Sequence, residues 1–135
     1  MGCVLRIPTC ICIGLVLIAA LGCGGAGDCG PVGVSVSPNT AAADHSTAPP
    51  GNQQKFVAFN SLPVKQGCPA ITAAMLNNVT WSTSDPSDVS ISNTQGPTYG
   101  VATCINAVSG SVTNTATQPL QDGGTFTGAA SLTCK

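Results

Sequence analysis

Three kinds of side chain here could carry chemistry: eight cysteines, one histidine and five aspartates. Cys3, Cys10 and Cys12 fall in an apolar N-terminal stretch, Cys23 closes it, and Cys29, Cys68, Cys104 and Cys134 are spread over the remainder. No two of those last four have C-x-x-C spacing and His45 is remote from them, so neither a metal site nor a redox centre is expected. Four cysteines in an oxidising compartment imply two disulfides, with three pairings open. A hydrolase needs a nucleophile, a base and an orienting group together. His45 stands in a loop with Pro49, Pro50 and Gly51, where a solvated ring is the ordinary state, so no catalytic residue, enzyme activity or cofactor is expected. Asp85 and Asp88 could offer carboxylates to Ca²⁺. In Asp85-Pro86-Ser87-Asp88, however, an Asp followed by Pro is turn chemistry, and its oxygens serve the turn's own amides.

The elements that position these residues begin with the leader. Met1 to Arg6 supplies a positive start, and Ile7 to Leu21 is apolar apart from Pro8, Thr9 and Gly14. Small residues follow, which makes a secretory signal peptide over residues 1–22. The run is shorter than the ~20 residues that a spanning helix needs. Ala19-Ala20-Leu21-Gly22-Cys23 resembles the lipobox of bacterial lipoproteins, although Ala20 stands where Leu is usual. That resemblance implies that Cys23 carries a lipid and becomes the new N-terminus. Residues 23–31, with Gly24-Gly25-Ala26-Gly27, then read as a flexible tether. Cleavage by ordinary signal peptidase, also compatible with Ala20 and Gly22, would instead release a free secreted protein.

Residues 32–135 form one domain. They are rich in Ser, Thr, Val, Ala and Gly and poor in strong helix formers, a composition suited to half-buried strands. Four basic residues, Arg6, Lys55, Lys65 and Lys135, are scattered without a patch, which argues against nucleic acid as a partner. Period-2 alternation marks strands at Val32–Ser37, Val79–Ser84 and Val89–Ser92. Lys55–Asn60 is apolar on both faces. Thr98–Ile105, Gly110–Thr117 and Thr125–Cys134 complete seven strands, the last two joined at Asp122-Gly123-Gly124. Ala41–Gln54 reads as a polar surface loop, and Ala70–Leu76 as a short helical turn. The expected core is Val34, Val36, Phe56, Val57, Phe59, Trp81, Val89, Ile91, Val101, Val112 and Leu132. Trp81, on a central strand, is its anchor and not a ligand platform. Tyr99 is read as partly exposed.

Val79-Thr80-Trp81-Ser82-Thr83-Ser84-Asp85-Pro86 is the most specific block in the chain. With Val34-Ser35-Val36-Ser37-Pro38 before it and Gly100-Val101-Ala102 after it, the domain resembles the bacterial Ig-like domain of group 2, found in intimin- and invasin-type surface proteins. The resemblance covers about residues 32 to 134 and implies an all-β, seven-stranded immunoglobulin-like sandwich. It departs from the family at Asn114, where Val or Ile is usual, and in its cysteines. The strand order so implied puts Cys29 and Cys68 at one pole and Cys104 and Cys134 at the other, hence the pairs Cys29–Cys68 and Cys104–Cys134. Parity points Cys104 away from the Val101 face while Cys134 shares the Leu132 face, so the second pair calls for a bulge near Cys104.

The reading that follows is a non-enzymatic lipoprotein of the outer membrane or cell surface. It is held to the membrane through Cys23 and acts in adhesion, as a surface structural element or as an accessory to an envelope assembly. Its partner beyond the membrane would be a surface protein or a polysaccharide. The alternative is a small secreted ligand-binding protein, for a polysaccharide for example, which needs an exposed aromatic row that three Phe, one Tyr and one Trp scarcely supply.

Overall fold

The structure, a computed structural model, describes residues 30–62 and 72–135. Cys23, Cys29 and Cys68 lie outside these residues, as do the signal-peptide assignment and all but the end of the tether. The described chain is all-β, without a helix, and its strands number ten in three sheets where seven were expected. They are β1 (Gly33–Ser37), β2 (Thr40–Ala43), β3 (Gln53–Lys55), β4 (Val57–Ser61), β5 (Met75–Leu76), β6 (Thr80–Thr83), β7 (Val89–Ile91), β8 (Val101–Cys104), β9 (Val112–Pro119) and β10 (Thr125–Cys134).

The first sheet has the order β1-β4-β5, the second β2-β10-β9-β6 and the third β3-β8-β7. All pairings are antiparallel except β2 with β10, which run parallel with Thr40 beside Ser131 and Ala43 beside Cys134. Alternation decides which side chains turn inward. On β1, Val34 and Val36 are buried while Ser35 and Ser37 are exposed. On β9, Val112, Asn114 and Ala116 face in, and on β10 Ala130, Leu132 and Cys134 do. The large Trp81 ring of the interior is accommodated by small partners: Trp81 lies opposite Ala116, which lies opposite Gly128. Glycine at 128 is required, because a Cβ there would sit 2.5 Å from the Val34 carbonyl oxygen where β1 crosses β10.

Several expectations are corrected. The loop expected over residues 41–54 begins inside β2 and ends inside β3. Three successive alanines carry no alternation to read, and their pairing comes from β10, far along the chain. The helical turn expected over residues 70–76 ends as strand, since Met75 pairs with Phe59 and Leu76 with Ala58. Val57, Phe59 and Val101 are half-buried and not core, Ile91 is half-buried but packs against the core, and the interior is completed by Ala43, Ala58, Val79, Tyr99, Ala102, Ala116, Ala130 and the Cys104 and Cys134 side chains. On β8 the inward residues are Ala102 and Cys104, with Val101 turned outward, so no bulge is needed. The covalent bond fixes this: Cys104 must meet Cys134 on the Leu132 face, and period 2 then sends Val101 to the other side.

β6 is an edge strand, and its open side is occupied. Ser84 N–H donates to the Thr113 carbonyl, so residues 80, 82 and 84 bond toward β9 and Trp81 presents its backbone outward. The Asn93 side chain takes both groups: Trp81 N–H donates to Asn93 Oδ1 at 2.7 Å, and Asn93 Nδ2 donates to the Trp81 carbonyl at 2.9 Å. A side-chain amide thus stands where a further strand would pair, a device that protects an edge from strand addition. Asn93→Ala is expected to lower stability by about 1–3 kcal/mol and to produce concentration-dependent association in sedimentation velocity. A variant equally stable and monomeric at all concentrations would show that the edge needs no such cover.

Candidate functional site

The strand directions sort the functional candidates into two ends of the molecule. β1 starts, β4 ends and the β9–β10 hairpin turns at one pole, where Val32 N–H donates to the Ser61 carbonyl at 2.9 Å. β8 and β10 end at the other, where Cys104 and Cys134 are joined by a disulfide with Cα atoms 5.6 Å apart. Each of these two cysteines is 1 % exposed, so the bond is sealed from solvent.

The disulfide pole also holds His45 and the Asp85 turn. His45 Nδ1 is paired with the Lys135 carbonyl, and His45 N–H donates to that same oxygen at 3.1 Å. The neighbouring Asp44 carboxylate accepts from Ser46, whose hydroxyl and amide hold it below the usual carboxylate range. His45 therefore clasps Lys135, the residue that follows β10. Asp85 Oδ1 accepts from the Ser87 hydroxyl at 2.6 Å and the Ser87 amide at 3.2 Å, which lowers its pKa in the same way. Asp88 Oδ1 accepts from Asn106 Nδ2 at 3.0 Å. The two Asp85 bonds are the turn's own, whereas Asp88 is held from a segment eighteen residues further along the chain. Among the described residues no three His, Cys, Asp or Glu side chains come together as a metal-binding group.

Trp81 is 3 % exposed and sits in the core, close against Gly100, whose φ of +72° suits glycine and where a Cβ would lie 3.2 Å from the indole ring and 2.5 Å from the Phe56 carbonyl oxygen. Tyr99 is corrected from partly exposed to buried: it is 8 % exposed, and its hydroxyl donates to the Val79 carbonyl. Lys55 Nζ ties the same turn, donating to the carbonyls of Pro97 (3.1 Å) and Tyr99. Nothing in the sequence around Tyr99 signals this, because the bond is to a backbone oxygen twenty residues earlier. Beside the turn lies an apolar cavity of about 280 Å³ lined by Phe56, Ala58, Leu76, Trp81 and Tyr99, with Lys55 at its rim. The indole N–H has no hydrogen-bond partner and no accessible surface, so the cavity does not reach it.

Asn114 is the one fully buried polar side chain among the described residues, at 0 % exposure, and neither Oδ1 nor Nδ2 has a partner. Its register places it between Thr83 and Ala130 on the inner face. An amide desolvated without compensation costs about 1–3 kcal/mol. Asn114→Val removes that cost and introduces a β-branched side chain suited to the strand. The variant is expected to gain about 1–3 kcal/mol in urea denaturation; an equal or lower midpoint would mean that the amide is compensated in solution.

No protein-family model matches the chain, and no curated protein matches it.

Proposed function

We propose that this is a non-enzymatic envelope lipoprotein whose domain is an immunoglobulin-like module of the bacterial group 2 type, with an adhesive, structural or accessory role outside the cell. The observation that carries the module is the path of the first strand. β1 pairs antiparallel with β4 and then, past Pro38, the chain joins the other sheet as β2, parallel to the last strand β10. β1 and β2 are on this reading one strand that changes sheets. β3 and β4 are a second, continuous through Phe56, whose N–H donates to the Gly100 carbonyl at 2.8 Å. With β6, β7, β8, β9 and β10 they make the seven strands of an immunoglobulin sandwich, and β5 is a two-residue addition.

The lipid rests on Ala20-Leu21-Gly22-Cys23. The second disulfide, Cys29–Cys68, has the antiparallel pairing of β1 with β4 in its favour: residue 32 and residue 61 are hydrogen-bonded neighbours, and the chain leads outward from both at one pole. The secreted ligand-binder is weaker, since Trp81 and Tyr99 are both buried and leave no aromatic platform among the described residues. Intact mass of the unreduced protein from a bacterial membrane fraction tests the proposal. A chain starting at Cys23, carrying diacyl or triacyl lipid and lighter by the hydrogens of two disulfides, is the expected result. An unlipidated mass assigns the protein to the secreted class, and four free thiols remove the argument for an oxidising compartment.

A further inference from the structure

We infer that the apolar cavity between the sheet edges β5 and β6 is a binding site for a small amphiphilic carboxylate, an organic acid with a ring or short chain for a body, whose charge is met by Lys55. The cavity exists because both sheets stop short there. β5 contributes only Met75 and Leu76, β6 is the last strand of the second sheet, and the two are not paired with each other. Phe56, Ala58, Leu76, Trp81 and Tyr99 surround about 280 Å³. Ala58 and Leu76 lie directly opposite one another, and the short side chain of Ala58 leaves room that a larger residue would take up.

The volume and the walls set the body of the guest. A cavity of about 150 Å³ holds one benzene, so this one takes a single ring with a short side arm, or a chain of comparable bulk. Its walls are hydrocarbon and aromatic, which calls for an apolar body. Trp81 and Tyr99 thus act as walls of a cleft between sheets, an arrangement distinct from a surface platform. Lys55, Asn77, Gln95 and Gly96 also border the cavity and are exposed, so it opens to solvent on that side. There Gln95 Nε2 donates to the Asn77 carbonyl at 2.7 Å and fixes one side of the mouth.

Lys55 selects the charge of the guest. Its Nζ is held at the rim by two neutral partners, the carbonyls of Pro97 at 3.1 Å and of Tyr99. An ammonium has three N–H donors, and the third has no partner among the described residues. The described side-chain carboxylates are engaged elsewhere: Asp44 with Ser46, Asp85 with Ser87, Asp88 with Asn106 and Asp122 with Gly124. The mouth therefore carries a positioned positive charge, without a counter-ion among the described residues, beside an apolar interior. A carboxylate on an apolar body is its complement, since a charge-assisted hydrogen bond fixes the head while the body leaves water. The site stands whether or not Cys23 carries lipid.

Trp81 supplies the readout, because it is the only tryptophan of the chain and forms one wall of the cavity. Phenylacetate is titrated into the exported chain, in phosphatidylcholine vesicles if it is lipidated and in buffer if it is not, while tryptophan fluorescence is followed. Phenylacetamide serves as the uncharged isostere. A saturable change is expected, with phenylacetamide binding about fivefold more weakly, the upper range for an ion pair open to solvent. Lys55→Met is expected to abolish that preference and Lys55→Arg to keep it. Absence of a saturable change overturns the inference, as does equal affinity for the two probes in the wild type or an undiminished preference in folded Lys55→Met. The wild-type comparison needs no variant, so it decides the matter even where loss of the Lys55 tie unfolds Lys55→Met. None of these outcomes depends on the mass at Cys23, which tests the lipoprotein reading by itself.

Discussion

Trp81→Ala is expected to leave the domain at or beyond the edge of stability, whereas Trp81→Phe keeps it folded. The indole is 3 % exposed and is the largest side chain of the interior. Truncating a buried Trp to Ala costs about 3–5 kcal/mol through lost transfer energy and the cavity left behind. A domain of this size has only about 5–15 kcal/mol in total. Collapse into the gap is restricted, because the ring packs against the Gly100 turn, and that turn is pinned by Lys55 Nζ on the Pro97 carbonyl at 3.1 Å. The phenylalanine variant loses area but no hydrogen bond, since the indole N–H has no partner; a cost of about 1–2 kcal/mol is expected for the volume difference. Urea denaturation followed by far-UV circular dichroism separates these outcomes. A Trp81→Ala protein as stable as the parent would mean that the ring is not the core anchor.

What the sequence disclosed, and what it concealed, follows from the range of the interactions. Val34, Val36, Trp81 and Val112 were readable because alternation within one strand decides their face, and all four are buried. The turns at Asp85 and at Asp122-Gly123-Gly124 were readable because their hydrogen bonds are made within a few residues: Ser87 to Asp85, and Gly124 N–H to Asp122 Oδ1 at 2.9 Å. β2 was not readable. Thr40-Ala41-Ala42-Ala43 has no pattern of its own, and it is a strand only because Ser131 to Cys134 lie alongside it. Val101 misled for a related reason, since its apolar side chain suggested the inward face while the bond between Cys104 and Cys134 imposes the opposite parity. Asn93 gave no signal either; a side chain that imitates a neighbouring strand is visible only once β6 is known to be an edge.

Opening the Cys104–Cys134 bond is the other large expected effect. The two cysteines are 30 residues apart in sequence, and cross-linking a loop of that length removes chain entropy from the unfolded state worth about 3.7 kcal/mol. The bond also does mechanical work in the fold: it ties the end of β8, in the third sheet, to the end of β10, in the second. The charged groups around that pole make only exposed hydrogen bonds and no described ion pair that would hold the ends together in its place. The double variant Cys104→Ala, Cys134→Ala is therefore expected to fold to the same far-UV spectrum but to lose about 2–5 kcal/mol in urea. Its m-value should rise, because the uncross-linked denatured chain exposes more surface. Since both sulfurs are buried, the wild-type bond should resist dithiothreitol under native conditions and yield to it in denaturant. Rapid reduction of the native protein, or a double variant of unchanged midpoint, would show that the two ends are held by packing alone and that the cysteines contribute as small apolar side chains.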